Sequence, residues 1–153
     1  MARAAARGFT FIEIMVVLAI VAIGAALAIP AIDAGLDARE VRRAVRQIAA
    51  TMNHLRMEAV STGSVHRLRI DPRENAFETD NPSHWVVLSE RALIERVDGG
   101  SITADGKVDI LFYANGSTSG ADVVIASRRD RTANRMRLVL DPLVGSWRVE
   151  DAG

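Results

Sequence analysis

The sequence predicts an α+β fold: one long N-terminal helix, membrane-spanning in its first half and amphipathic in its second, packed on a small antiparallel β-sandwich. Three observations carry that prediction. From Phe9 to Ile29 the only charged residue is Glu13. Apolar residues then recur three and four apart at Val41, Val45, Ile48, Met52, Leu55 and Ala59. From Ser64 the apolar period falls to roughly two, and turns rich in glycine and aspartate interrupt it.

The first element is residues 9–29. At roughly 1.5 Å per residue it reaches about 31 Å as a helix, the thickness of a hydrocarbon core. Arg3 and Arg7 precede it and no basic residue follows until Arg39, which predicts residues 1–8 on the cytoplasmic side and the rest across the membrane. Glu13 is the anomaly. A carboxylate in such a span costs about 2.5–3.5 kcal/mol on insertion scales and usually marks a partner.

Residues 30–62 continue the helix with a changed character. The apolar stripe lies on one face, while Arg39, Glu40, Arg42, Arg43, Arg46 and Arg56 take the others. Fewer than four heptads are sustained, so the stripe is expected to dock on the chain's own sheet rather than form a coiled coil. Pro30 and Gly35 are weak points of the helix, and Thr62-Gly63 is a stop.

Residues 64–153 form the β-rich globular domain. Strands are expected at 65–70, 85–89, 91–97, 101–104, 108–113, 122–126, 135–140 and 146–150. Asp71 to Asn75, Asp98-Gly99-Gly100, Asp105-Gly106 and Asp141 to Gly145 are the turns.

Composition excludes several classes. Cysteine is absent, so neither disulfides nor thiolate metal sites are available. The 19 basic residues balance 19 acidic ones, which argues against wholesale nucleic-acid binding. His54, His66 and His84 lie far apart in the chain, and no zinc-protease, phosphate-loop or nucleophile-elbow pattern occurs. Asp71, Glu74, Asp80 and Asp105 lack the spacing of a calcium loop. The chain is read as non-enzymatic, with no cofactor and no metal.

Gly8-Phe9-Thr10-x-Ile12-Glu13 before an apolar run resembles the class III leader of type IV pilins and type II secretion pseudopilins. The resemblance implies a type IV pilin-like fold and cleavage of residues 1–8 between Gly8 and Phe9 by a prepilin peptidase. It further implies N-methylation of Phe9, and Glu13 as the residue of filament assembly, pairing with the amine of a neighbouring subunit. An ion pair inside a packed filament is useful only when both partners arrive together. Loss of Arg3 and Arg7 would leave 17 basic against 19 acidic side chains, a net −2.

Two further stretches are similar to the H-type minor pseudopilins of type II secretion systems, the GspH/FimT-like family. One is the helix exit from Arg56 to His66. The other is Val108 to Gly116 followed by Gly120, where Phe112 and Gly116 match and Ala114 replaces a usual proline. This resemblance implies a structural subunit that links tip complex and filament during export of folded proteins. Its partners would be minor pseudopilins of the I, J and K types, the major pseudopilin, the inner-membrane assembly platform and secreted exoproteins. It would sit in the bacterial inner membrane with its domain in the periplasm, and enter the pseudopilus after processing. The rival is a minor type IV pilin of DNA uptake or pilus assembly.

That rival rests on Ser127 to Arg137, which holds Arg128, Arg129, Arg131, Arg135 and Arg137. On a hairpin tip such a run suits a partner protein, phosphate backbones, or plain solvent, where charge keeps a sheet edge from pairing wrongly. The Gly-Arg-x-x-Arg pattern of DNA-binding relatives is broken after Gly145 by Ser146 and Trp147.

Overall fold

A computed structural model describes residues 9–81, 84–132 and 134–152, with side chains outside 27–34. Gly8, and with it the expected cleavage bond, lies outside the described residues. Among the described residues there is one helix, α1 (Phe11–Thr62). The strands are β1 (His66–Asp71), β2 (Ala76–Thr79), β3 (Trp85–Val87), β4 (Ala92–Gly99), β5 (Ser101–Ile102), β6 (Val108–Phe112), β7 (Ala121–Ser127), β8 (Arg135–Leu140) and β9 (Trp147–Asp151). The chain divides into two units, Met1–Leu36 and Asp37–Gly153.

In the first unit α1 begins at the first apolar turn, and helical backbone continues through both Pro30 and Gly35. Every described side chain from Phe9 to Ala26 is exposed. Among the described residues no helix is long and apolar enough to cross a membrane. From Phe11 to Ala26 the helix covers about 24 Å at 1.5 Å per residue, against about 30 Å of hydrocarbon. The rest of the expected span falls on residues whose side chains are not described.

In the second unit the stripe of α1 is the floor of the core. Val41, Val45, Ile48, Met52, Leu55 and Ala59 are all buried, with Ala44 and Ala49 beside them. They pack against Leu68, Ile70, Phe77, Ile94, Ile110, Phe112, Ile125 and Leu138 from the strands. Each large side chain so buried contributes about 1.5–3 kcal/mol. The helix ends where Gly63, at φ +67, donates its N–H to Ala59 O at 3.0 Å, a left-handed stop that suits glycine.

Two antiparallel sheets receive this face, in the orders β3-β2-β1-β6-β5 and β4-β7-β8-β9. β2 is a strand absent from the sequence expectation. Its four residues, AFET, follow a turn and end in polar side chains, so no alternation could develop. Pairing supplies what the pattern lacks: Phe77 lies opposite Ile70 and is buried. Between β4 and β5 the chain changes sheets. Gly100, at φ +66, allows this because a Cβ there would stand 2.7 Å from Asp109 O.

Asn75 ties the sheets together. It ends the β1–β2 turn at φ 52 and is buried. Its Nδ2 donates to Ala92 O at 2.8 Å, and Ile94 N–H donates to its Oδ1 at 2.9 Å. One amide side chain therefore satisfies two backbone groups on an edge strand of the other sheet, where unpaired groups would be costly. Asp37, buried on α1, is similarly matched by the Arg91 guanidinium at 2.7 Å.

Candidate functional site

The N-terminal station is Phe9 to Glu13. Phe9 is 78% exposed. Glu13 N–H donates to Thr10 Oγ1 at 3.3 Å, and Thr10 N–H donates back to Glu13 Oε2 at 3.5 Å. Thr10-x-x-Glu13 is thus a capping box, with Ile14 N–H to Thr10 O as the first helical bond. This local role was present in the spacing and absent from the sequence reading, which assigned Glu13 to assembly alone. The return bond is long and weak, so the carboxylate remains available to a stronger cation.

The second station is the β7–β8 hairpin. Its tip is exposed at Arg128, Arg129 and Arg131, but the run of arginines is not one basic patch. Arg128 Nε donates to Glu90 O at 3.1 Å. Arg135 pairs with Glu95 at 2.8 Å, and Arg137 pairs with Asp122 and lies 3.9 Å from Glu150. The Asp122 bond raises the Arg137 pKa. At the tip Asp130 interrupts the positive charge and takes the Thr132 N–H and hydroxyl.

The histidines depart from expectation. Sequence distance sets them apart, yet His54, His66 and His84 line one cavity of about 380 Å³ with Glu58 and Asp80. The stop at Gly63 folds β1 back along the helix and brings them together. His66 has a side chain 17% exposed, with Nδ1 3.5 Å from Asp80 Oδ2 and 3.8 Å from Glu58 Oε2. Its Nε2 lies 3.2 Å from the Thr62 and Ser64 hydroxyls. Both ring nitrogens therefore have partners, as in a structural histidine. Among the described residues no group of three or more histidine, cysteine or acidic residues can hold a metal.

A third arrangement surrounds the strand–loop–strand from Val108. Phe112 is fully buried, and Gly116 and Gly120 have φ of 83 and 70, the left-handed region that glycine permits. Arg56, which the helical pattern assigned to an outer face, instead donates from Nε to Gly116 O at 3.1 Å and is half-buried. Gly145 completes the cluster: at φ +65, its missing Cβ would lie 2.3 Å from Gly116 O.

Comparison with known proteins adds to this geometry. Residues 3–29 match the prokaryotic N-terminal methylation motif. Residues 44–143 match the family described as type II transport protein GspH. Type II secretion system protein H of Xanthomonas campestris pv. campestris is 29% identical over 135 residues, covering 82% of this chain and 75% of that protein. Among solved structures, the minor pseudopilin EpsH from the type 2 secretion system of Vibrio cholerae aligns with a TM-score of 0.60 at 14% identity, over 74% of this chain and 98% of that one. The type IV minor pilin FimU of Pseudomonas aeruginosa aligns at 0.54 and 14%, over 75% and 90%. At such identity the two structures establish a shared fold.

Proposed function

The chain belongs to the GspH family of type II transport proteins, and from that premise we propose that it is a non-enzymatic minor pseudopilin linking tip complex and filament during protein export. The apolar segment anchors the precursor in the inner membrane with the Asp37–Gly153 unit in the periplasm. Prepilin peptidase cuts between Gly8 and Phe9 and methylates Phe9. The subunit then joins the pseudopilus beside other minor pseudopilins and the major one.

The single observation that carries the reading is the start of α1. An exposed apolar helix whose first carboxylate is held, among the described residues, by a long return bond from Thr10 N–H suits exchange of that bond for a charged amine. Cleavage creates such an amine at Phe9, and a charge-assisted bond between Glu13 and a neighbour's amine is stronger than the one it replaces. The DNA-uptake rival draws no comparable support, because Arg128, Arg135 and Arg137 already bind groups of their own chain.

The test is Glu13→Ala. Mass spectrometry is expected to find Phe9 cleaved and methylated as in the wild type, while incorporation into pseudopili falls at least about tenfold. Normal incorporation of that variant would remove the charge pairing.

A further inference from the structure

The outward face of α1 in the second unit carries a surface that the chain leaves unmatched. Arg39, Arg42, Arg43 and Arg46 are exposed, while Val41, Ala44 and Val45 between them are buried. Spacings of i, i+3, i+4 and i+7 put the four guanidinium groups on one face, along about 10 Å of helix. Elsewhere in this unit most arginines lie beside a carboxylate, among them Arg69 by Asp109, Arg91 by Asp37, Arg96 by Asp98, Arg135 by Glu95 and Arg148 by Glu150. Those without one among the described residues, such as Arg73 and Arg131, are not gathered on one helix face. In the stripe, Arg43 reaches Glu40 only at 4.0 Å, and Arg39, Arg42 and Arg46 have no ion pair among the described residues. Like charges three and four apart weaken a helix, a cost that external carboxylates would remove. Beside the stripe, Arg42 borders a cavity of about 140 Å³ walled by Val41, Arg135, Met136 and Asp151, with space for one side chain of a partner.

From this contrast we infer that the stripe is a docking surface for an acidic helix of a neighbouring pilin-like subunit, with Asp or Glu recurring three and four apart. The inference rests on the minor-pseudopilin reading and names its partner surface. Guanidinium forks on a rigid helix match carboxylates bidentately, which lysines would not do. A lipid surface fits less well: the stretch between the apolar run and the stripe carries Asp33 and Asp37 and no basic residue, the reverse of a juxtamembrane basic anchor. A nucleic acid fits less well too, because processing leaves the side chains at 17 basic against 19 acidic, without the charge excess of such binders.

The test compares processed full-length chain in detergent, wild type against a variant carrying Arg39→Gln, Arg42→Gln, Arg43→Gln and Arg46→Gln. Glutamine keeps helix propensity, and circular dichroism with thermal melting reports the fold. Probes are the other minor pseudopilins of the same secretion system, double-stranded DNA, and vesicles containing phosphatidylglycerol. Wild type is expected to bind at least one pseudopilin in a salt-sensitive way, and the quadruple variant to bind about tenfold or more weaker at unchanged melting. If that variant misfolds, Arg39→Gln with Arg46→Gln is read instead, with a smaller loss expected. Undiminished binding by a folded variant overturns the stripe while leaving the proposed function intact. Wild type that binds no pseudopilin overturns both. Stripe-dependent binding to DNA or vesicles in place of pseudopilins overturns the acidic helix as occupant.

Discussion

The two units use the same residue types to opposite effect. Ile12, Ile14, Ile20 and Ile23 at the start of α1 are exposed, whereas Ile48, Ile70, Ile94, Ile110 and Ile125 in the second unit are buried. The second unit finds its partners within its own chain: helix stripe, two sheets, and polar clasps at Asn75 and Asp37. The first presents apolar surface of a kind that marks interaction with lipid or other helices. The second unit buries its apolar face within the chain, whereas the first leaves its own exposed.

The sharpest way to break the comparison is to truncate one apolar residue in each unit. Phe112→Ala is expected to cost about 3–5 kcal/mol of domain stability, read by chemical denaturation. Ile14→Ala should leave that same unfolding curve within about 0.5 kcal/mol and act only on assembly. Equal losses would mean that the first helix is part of the domain's fold.

Next in size is Asn75→Ala, expected to cost about 2–3 kcal/mol because it strands Ala92 O and Ile94 N–H. A loss below about 0.5 kcal/mol would show that the sheets hold together without the clasp. Thr10→Ala is smaller, about 1 kcal/mol. It should appear as faster hydrogen exchange in the first turn of α1, with the domain's melting unchanged.

The smallest effect is pH-dependent. The N–H groups of Val144 and Leu143 hold the Asp141 carboxyl below its ordinary value of 3.8. A depressed folded pKa contributes stability above the unfolded value, and that contribution is lost as pH falls through the folded one. Asp141→Asn should therefore melt slightly lower than wild type at pH 7, with the gap closing below about pH 4. A gap that persists in acid would assign the effect to something other than the carboxylate.

Legibility followed the range of the interactions. The helix stripe was readable because its partners recur every three or four residues, and each of its six apolar positions is buried. Turns at Asp105-Gly106 and Gly116 were readable because their backbone demands glycine locally. The strand at Ala76 to Thr79 was not, since its burial depends on Phe77 meeting Ile70 across the hairpin. Nor was the clasp at Asn75, a turn residue in sequence that serves a strand 17 to 19 positions away. The capping box at Thr10 and Glu13 was readable and passed unread, overshadowed by the stranger fact of a carboxylate in an apolar run.

Sequence by itself determined the apolar start with its one carboxylate, the amphipathic continuation and the shift to strands, because these follow from hydrophobic period and backbone preference at short range. Only the tertiary structure decided which arginines are bound and which stand free of ion pairs, that three histidines share a cavity, and that one asparagine joins the sheets. Each of those depends on groups brought together from distant parts of the chain, where charge and hydrogen-bond capacity are settled by proximity rather than by neighbours in sequence.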